Sequence, residues 1–527
     1  MPCVSGVQHH TYNLVVNMGD DFPTEYDVII IGTGMTESIL AAAASRVGKR
    51  VLHLDSNEYY GGLWASFNLD GLQQWIDECN QDPSQDAAEP AKVDLQDGEN
   101  LVSARAKNRP AVLNVRQEWH VPEGSEEPAA SDVKKEWTQA EIKKLYRKFN
   151  IDLAPKLLFA RGELVDLLIS SNIARYTEFR NVSRVVTWAE GQLTSVPCSR
   201  ADVFATQNIS VVEKRMLMGL LTECTEYENN PDKLKEHENQ TFLDYLKSKN
   251  LTDNLIHYVL YAIAMSTEST PCPEGMTRTQ KFLQSLGRYG NTPFLWPMYG
   301  SGEIPQAFCR LCAVFGGLYH LKRGAEGLVV GGDDVLHSIV SNGEQLRTNF
   351  LVMGLDYAPE KMLPSSTTGI SRAVFITDGS ILSAEKEHLT LLEFPPSDSS
   401  SEPVTVIEVG SATHACPPGL YVLYMTTRQR GTAFEDLSPV MNQLVRTEED
   451  DGSSKPRLLW SLYFNSVDSA ACDMAANTPS NLFLTSGPDL DLDFDYAINQ
   501  FLPRAPDPEE IILEDEEAPK AEEEEQK

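Results

Sequence analysis

The pattern of apolar and polar positions predicts a mixed α/β fold that begins with a βαβ unit. The apolar run Val28–Ile31 is long enough for a buried parallel strand. An Ala-rich stretch, Thr36–Arg46, predicts the helix that follows, and Val51–Leu54 predicts a second buried strand. A unit of this kind is typical of sheets that bind nucleotides at the carboxyl ends of their strands.

The apolar spacing changes twice further along the chain. From about Ser199 to Leu286 it follows a helical period, which predicts a small all-α domain over 199–286. Strand-type patterns then return, and we predict a large α/β domain in two parts, 24–198 and 287–500, interrupted by the helical domain. The strand candidates of the second part are Leu328–Val330, Phe350–Val352, Ala373–Ile376, Val404–Ile407, Gly419–Met425 and Leu458–Phe464.

Two shorter patterns add detail to the first part of the large domain. The amphipathic stretch Leu157–Ser170 predicts one helix. The segment Val182–Val196 predicts a β-hairpin, because Glu190-Gly191 stands between two strand-type runs.

Three segments lack the periodicity of a packed fold. Residues 1–23 read as a polar N-terminal extension, within which Met18 is an alternative initiator. Residues 81–136 are Pro-rich and charged, and they predict a flexible insertion. Residues 501–527 form an acidic, Pro-containing tail whose end we expect to be disordered.

The composition of the chain limits which classes of partner, compartment and metal site we expect. The net charge of -33 argues against nucleic acid and against stable binding to an acidic membrane surface. There is no apolar run of ~20 residues to span a membrane and no secretory signal. Nine scattered cysteines fit a reduced protein of the cytosol. Cys309 and Cys312 form a lone C-x-x-C pair, so we expect two thiols on one helix and no metal site.

The turn after the first strand carries a dinucleotide-binding motif with one glycine missing. Gly32 and Gly34 make the tight turn, and Asp55 stands about 20 residues on, where a ribose-binding acid belongs. Glu37 replaces the third glycine, and its carboxylate would lie near a pyrophosphate at the helix N-terminus. We therefore expect an empty βαβ scaffold without flavin or nicotinamide cofactor. No cluster of catalytic residues stands out elsewhere.

Several motifs resemble those of one superfamily. They are Asn57–Gly62, Phe149–Lys156, Gly287–Phe294 and Tyr299–Gln306. Together they resemble the Rab GDP-dissociation inhibitor and Rab escort protein superfamily, over about residues 24–515 without the insertion. Within it, the escort branch is favoured by Trp64–Phe67, Cys198–Phe204, the insertion and the tail segment Pro506–Leu513.

The resemblance implies an architecture and a function. A large domain similar to flavoprotein monooxygenases would bind GDP-bound, unprenylated Rab GTPases. The small all-α domain would contact the α subunit of the Rab geranylgeranyl transferase α/β heterodimer. The chain would present the Rab C-terminal cysteines for geranylgeranylation and carry the lipid-bearing Rab to membranes, which it touches only transiently. The resemblance also implies an accessory subunit without a cofactor or an active site. Such a subunit would be located in the cytoplasm, in the cytosol.

The resemblance also assigns residues. Those matched to the Rab-binding platform are Tyr60, Arg288, Glu303, Arg310 and Tyr319, and those matched to the transferase contact are Phe204 and Arg215. Leu318 and His320, which flank Tyr319, replace the Thr and Met of the inhibitors.

Five of these seven residues have an ordinary structural alternative. Tyr60 would be a turn residue packed on the βαβ unit, and Glu303 would pair with Arg310 on one surface. Phe204 would belong to the core, and Arg215 would lie on a solvated face.

Two other functions compete with an escort subunit. A GDP-dissociation inhibitor would share the platform, but it would extract prenylated Rabs without the transferase. A flavin oxidoreductase would need the nucleotide site. The sequence after Gly61-Gly62, Leu63–Ala65, lacks the arginine that often follows such a pair in flavin amine oxidases.

Overall fold

The structure is a computed structural model that describes residues 23–81, 93, 95–104, 112–124, 137–198, 200–206, 209–226, 235, 237–364, 367–397, 400–447 and 454–500. The expectations for residues 1–22, for Met18 and for the tail 501–527 lie outside the described residues.

The described chain contains both strands and helices, with a run of helices between Arg200 and Ser285. The strands are β1 (Glu25–Ile31), β2 (Val51–Asp55), β3 (Ser66–Phe67), β4 (Asn100–Ser103), β5 (Val112–Trp119), β6 (Ile151–Asp152), β7 (Leu158–Phe159), β8 (Phe179–Asn181), β9 (Arg184–Ala189), β10 (Gln192–Ser195), β11 (Phe294–Pro297), β12 (Leu318–Leu321), β13 (Gly327–Val330), β14 (Leu336–Ser341), β15 (Glu344–Gly354), β16 (Thr368–Thr377), β17 (Thr390–Phe394), β18 (Val404–Val409), β19 (Tyr421–Arg428), β20 (Leu458–Asp468) and β21 (Leu482–Thr485). The α-helices are α1 (Met35–Arg46), α2 (Leu69–Cys79), α3 (Gln139–Lys144), α4 (Glu163–Ser170), α5 (Arg200–Ala205), α6 (Val211–Thr225), α7 (Phe242–Ser248), α8 (Asp253–His257), α9 (Cys272–Ser285), α10 (Glu303–Val314), α11 (Ala433–Leu444) and α12 (Asp495–Asn499).

The first large sheet contains the βαβ unit, next to the edge strand β12. Its strand order is β12-β2-β1-β15-β14-β13-β4, and β21 also pairs with β15. β1 runs parallel to β2 and β15, so Ile29 lies opposite both Leu52 and Leu351. α1 connects β1 to β2 and packs against α10. The N-terminus of α1 and the carboxyl ends of β1 and β2 therefore meet at one edge, as predicted for a nucleotide-type unit.

The second large sheet combines strands from before and after the helical region. Its order is β10-β9-β17-β18-β19-β16-β20-β5. One face packs against α11 through Leu437 and Val440. The opposite face shares a continuous core with the helical domain, where the π-helix Tyr258–Ile263 contacts β9 and β17. The helical domain is thus fixed to this sheet by buried apolar surface.

Most predicted elements are confirmed. The six strand candidates overlap β13, β15, β16, β18, β19 and β20, and the predicted hairpin is β9–β10. Its turn residues Glu190 and Gly191 both have positive φ (52° and 78°), as a tight hairpin turn requires. Among the described residues of 200–285, the helices are α5 to α9 and the π-helix Tyr258–Ile263.

Two expectations need correction. The segment 81–136 was expected to be a flexible insertion, but it contributes β4 and β5 to the edges of the large sheets. Many of their side chains are exposed, so the sequence lacked the apolar alternation of a half-buried strand. The stretch Leu157–Ser170 is not one helix, because β7 comes first and α4 begins at Glu163. Gly162, with extended backbone, separates the two elements.

Candidate interaction surfaces

The nucleotide-type cleft at the N-terminus of α1 is closed by side chains of the chain itself. Glu37 is buried and folds back over the turn, where its Oε1 accepts a hydrogen bond from Thr485 Oγ1 at 2.7 Å. A Cβ on Gly354 would lie 2.8 Å from the same Oε1. Burial raises the pKa of Glu37 to about 7. The carboxyl group therefore occupies the space into which a pyrophosphate would fit.

The ribose end of the cleft is closed as well. Asp55 accepts hydrogen bonds from the Thr33 hydroxyl and the Tyr357 hydroxyl, both at 2.5 Å. The Tyr357 ring lies 3.1 Å from the position of a Cβ on Gly32. About 30 Å³ of water-accessible space is left in the cleft, whereas ligand pockets measure roughly 300 Å³ or more. A flavin or nicotinamide dinucleotide does not fit these residues.

One exposed stripe runs along α10, on the outside of the large domain. Glu303, Arg310 and Val314 are exposed, and their spacing places them on the same face of the helix. Val314 is 69% exposed, and Phe315 directly after the helix is 46% exposed. The stripe is polar at its N-terminal end and apolar at its C-terminal end.

A buried network fixes the start of α10. Both carboxylate oxygens of Asp152 accept the Ser301 N–H, at 3.1 and 2.9 Å. The Ser66 hydroxyl donates to Asp152 and accepts the Gly302 N–H at 2.8 Å. Burial raises the pKa of Asp152 to about 6. The first turn, which carries Glu303, is therefore held against the body of the domain.

Aromatic side chains flank the α10 stripe. The guanidinium of Arg310 lies over the Tyr176 ring, 5.0 Å from its centroid. Tyr60 meets the Tyr319 ring edge-on, with 6.1 Å between centroids. The Tyr319 hydroxyl is buried. Tyr319 therefore contributes its ring as a support for Tyr60, and its hydroxyl is not offered to a partner. We define the α10 platform as the exposed stripe with Tyr60, Tyr176 and Tyr319.

Arg288 makes its described contacts outside this group. Its guanidinium donates to the Ala160 carbonyl oxygen at 2.8 Å and lies 3.6 Å from an Asp166 oxygen. It also covers the Tyr289 ring at 5.3 Å. The described contacts thus tie Arg288 to α4 and not to α10.

A second exposed surface lies on the helical domain. Phe204 on α5 is 70% exposed, and Val211 and Val212 at the start of α6 are 68% and 66% exposed. Lys214 Nζ donates to the Phe204 and Thr206 carbonyl oxygens, at 2.8 and 2.7 Å, so α5 and α6 are fastened together. Arg215 is exposed one turn after Val211. We define the α5–α6 patch as Phe204, Val211, Val212 and Arg215.

The exposure of Phe204 excludes the interpretation of this residue as core. Four further side chains, Tyr176, Val211, Val212 and Val314, were not assigned to either surface from the sequence. The i, i+7, i+11 spacing from Glu303 would have found Val314, and two valines after the capping residue Ser210 were a visible signal. Tyr176 gave no local signal.

The two cysteines of the C-x-x-C pair pack in the protein interior. Cys309 and Cys312 lie buried on α10, as expected for two thiols on one helix. Cys312 Sγ is 2.9 Å from Ser45 Oγ of α1. Burial raises the pKa of both thiols. In the part of the chain that the structure describes, no cluster of His, Cys, Asp or Glu has the arrangement of a metal site. Among those same residues, no helix is long and apolar enough to cross a membrane.

A family model matches most of the chain. The model described as GDP dissociation inhibitor matches residues 22–96 and 131–450. This chain belongs to the GDP dissociation inhibitor family. The resemblance seen in the motifs is therefore confirmed.

Curated relatives match more than four fifths of the chain. Rab proteins geranylgeranyltransferase component A 1 of Rattus norvegicus is 37% identical over 94% of both chains. Rab proteins geranylgeranyltransferase component A of Drosophila melanogaster is 39% identical over 95% of this chain and 94% of its own. Rab escort protein 1 of Arabidopsis thaliana is 28% identical over 83% and 85%.

Solved structures confirm the predicted fold class. Rab GDI of Plasmodium falciparum matches with a TM-score of 0.63 at 21% identity, over 91% of this chain and 96% of its own. An oxidoreductase of Methanosarcina mazei matches with a TM-score of 0.51 at 12% identity, over 90% and 99%. The family member described here thus has the flavoprotein-like α/β fold, although its cleft is filled.

Proposed function

We propose that this chain is an escort-type accessory subunit of a Rab geranylgeranyl transferase. It binds GDP-bound, unprenylated Rab GTPases, presents their C-terminal cysteines and carries the geranylgeranylated product from the cytosol to membranes. The observation that carries the proposal is the identity of 37–39% over nearly the full length of relatives named as component A of this transferase.

The α10 platform is the proposed surface for the GTPase. Arg310 offers a planar set of donors, and its place over Tyr176 limits the conformational freedom lost on binding. Exposed Glu303 supplies an acceptor on the same helix face. Exposed Arg and Tyr side chains that are already ordered have the properties of interface hot spots. Arg288, bound to α4, would contact the GTPase at the margin of this surface.

The α5–α6 patch is the proposed surface for the transferase, through its α subunit. A phenylalanine that is 70% exposed, together with two valines exposed to similar degrees, forms an apolar patch that is costly to leave in water. Arg215 adds a charge at its edge. A small apolar surface with one aromatic anchor suits a partner that binds and dissociates during each round of prenylation.

The accessory role implies that the transferase, and not this chain, performs the chemistry. Two features support this division. The cleft in which a related fold would hold a dinucleotide is closed by Glu37, Asp55 and Tyr357. The two exposed surfaces lie on different domains, so one chain would hold substrate and enzyme together.

An in vitro prenylation assay tests the proposal. Unprenylated Rab, transferase and geranylgeranyl diphosphate are combined with and without this chain, and lipid incorporation into Rab is measured. We expect incorporation only with the chain. Arg310→Ala should fail at Rab binding, and Phe204→Ala should fail at transferase binding. Equal incorporation with and without the chain would contradict the escort function.

A GDP-dissociation inhibitor is the second candidate, because the matching family model bears that description. An inhibitor would bind prenylated Rab, would bind unprenylated Rab weakly and would leave prenylation unstimulated. A flavin oxidoreductase is disfavoured by the filled cleft. Absorbance of the denatured protein supernatant in the flavin bands checks this directly, and we expect none.

A further inference from the structure

The closed nucleotide-type cleft lies directly beneath the loop that carries Tyr60. This loop, residues 57–61, follows β2 and ends at Gly61. Asp55 Oδ1 accepts the Asn57 N–H at 2.8 Å, and Asp55 Oδ2 accepts the Thr33 hydroxyl at 2.5 Å. The same Thr33 oxygen accepts the Gly61 N–H at 2.9 Å. Asp55 therefore holds both ends of the loop, directly at Asn57 and through Thr33 at Gly61.

The loop needs such a restraint because of its own sequence. Gly61 and Gly62 have positive φ, 102° and 54°, and glycine leaves the chain free to adopt many other conformations. A Cβ at Gly61 would lie 3.1 Å from the Ala65 nitrogen, so the glycine cannot be replaced by a stiffer residue without displacement. Hydrogen bonds from residues of the cleft therefore restrict the conformation of the loop, which the glycines alone would leave free.

The donors to Asp55 come from the chain and not from a ligand. Thr33 and Asp55 are each 1% exposed. The Tyr357 hydroxyl donates to Asp55 Oδ1 at 2.5 Å, whereas the Thr33 hydroxyl donates to Asp55 Oδ2. In a dinucleotide site the acid at this position receives a ribose hydroxyl. Here the Thr33 hydroxyl and the Tyr357 phenol take its place, and Thr33 passes the restraint on to Gly61.

We propose that this cleft is a positioning network for the GTPase surface, in which Thr33 and Asp55 orient Tyr60. The inference rests on the proposed function of the α10 platform. Tyr60 would be presented to the partner in one orientation, against Tyr319, so that little conformational entropy is lost on binding. Thr33 and Asp55 themselves do not touch the partner.

A double-mutant cycle on GTPase affinity tests the proposal. Thr33→Val keeps the shape of the side chain and removes the hydroxyl, whereas Thr33→Ser keeps the hydroxyl. We expect Thr33→Val to weaken binding on the order of tenfold and Thr33→Ser to bind nearly normally. In a Tyr60→Ala background, Thr33→Val should cause no further loss, because its effect passes through Tyr60.

The matched control lies in the same cleft. Thr485→Val removes an equally buried threonine hydroxyl that bonds to Glu37 and not to the loop. This variant should bind the GTPase normally. Melting temperatures are measured for every variant. If Thr33→Val does not fold, Tyr357→Phe, which removes the phenol donor to Asp55, is carried through the same cycle.

The possible outcomes are distinct. Normal GTPase binding by Thr33→Val, or equal losses with and without Tyr60, would overturn the positioning role. A loss of equal size in Thr485→Val would also overturn it, because the effect would then be general loosening of the cleft. If both Tyr60→Ala and Arg310→Ala bind normally, the platform itself is wrong, and with it the proposed function of this surface.

Discussion

The α10 platform and the α5–α6 patch are built in opposite ways. The platform combines side chains from distant parts of the sequence, and contacts within the chain hold its polar groups, as Tyr176 holds Arg310. The patch comes from one short stretch, 204–215, and exposes an aromatic ring and two valines to similar degrees. Ordered polar groups favour orientation and selectivity, whereas exposed apolar groups favour affinity from burial.

This difference suits the two tasks that we propose for these surfaces. A surface that must recognise the state of a GTPase benefits from fixed donors and acceptors, since a misplaced partner leaves them unpaired. A surface that recruits an enzyme benefits from one deep anchor. The comparison predicts that the two surfaces fail separately, and that they respond differently to truncation and to salt.

Phe204→Ala should produce the largest effect. An aromatic anchor carries about 2–4 kcal/mol, so transferase affinity should fall about thirtyfold to a thousandfold, while Rab affinity and melting temperature stay unchanged. Titration of the variant with each partner measures this. Leu113→Ala is the control, because Leu113 on β5 is 63% exposed and apolar but lies outside the patch. Normal transferase binding by Phe204→Ala would contradict the assignment of the α5–α6 patch as the transferase surface.

Arg310→Ala should have the next largest effect, on the other partner. Loss of a hot-spot arginine costs about 2 kcal/mol or more, or about thirtyfold in Rab affinity, and transferase affinity should not change. Arg116→Ala is a matched control, since Arg116 also lies over an aromatic ring, 3.7 Å from the centroid of Phe434. A variant with Arg310→Ala that melts early would indicate a structural role instead.

Ionic strength should separate the surfaces without any mutation. Raising the salt from about 0.1 M to about 1 M shortens the Debye length from about 10 Å to about 3 Å. We expect Rab affinity to fall severalfold, because the platform is charged, and transferase affinity to change little, because burial of apolar surface dominates there. Equal salt dependence of both affinities, measured by titration calorimetry, would mean that the contrast in chemistry is wrong.

Glu37→Gln should affect neither affinity, although it changes stability. The pKa of Glu37 is raised by burial from 4.5 to about 7 in the folded chain. Between these values the native state binds more protons than the unfolded state, so the contribution of Glu37 to the free energy of unfolding falls as the pH rises. It is fully present below pH ~4.5 and lost above pH ~7, a difference of about 3 kcal/mol.

Denaturant unfolding of wild type and Glu37→Gln at pH 5 and pH 8 measures this difference. The glutamine variant should gain stability relative to wild type as the pH rises, since it carries no charge to bury. A stability difference that is constant with pH would show that Glu37 is not buried as described.

The fold was accessible from sequence where signals are local. The βαβ unit, the hairpin at Glu190-Gly191 and the helical region each have a period or a turn signature within a few residues. The prediction failed at β4 and β5, because edge strands with exposed side chains show little apolar alternation. It also failed at Gly162, where a short strand and a helix share one apolar run.

The candidate surfaces also combine features that the sequence predicted with features that only the structure showed. The sequence determined that Glu37 replaces a glycine and that Glu303 and Arg310 share a helix face, because both depend on local spacing. Only the tertiary structure decided that Tyr176 supports Arg310, that Phe204 faces solvent, and that Thr33 joins Asp55 to Gly61. The contacts of Tyr176 and Thr33 connect residues that are distant in sequence, and the exposure of Phe204 depends on how α5 lies against the rest of the chain. No local pattern encodes either.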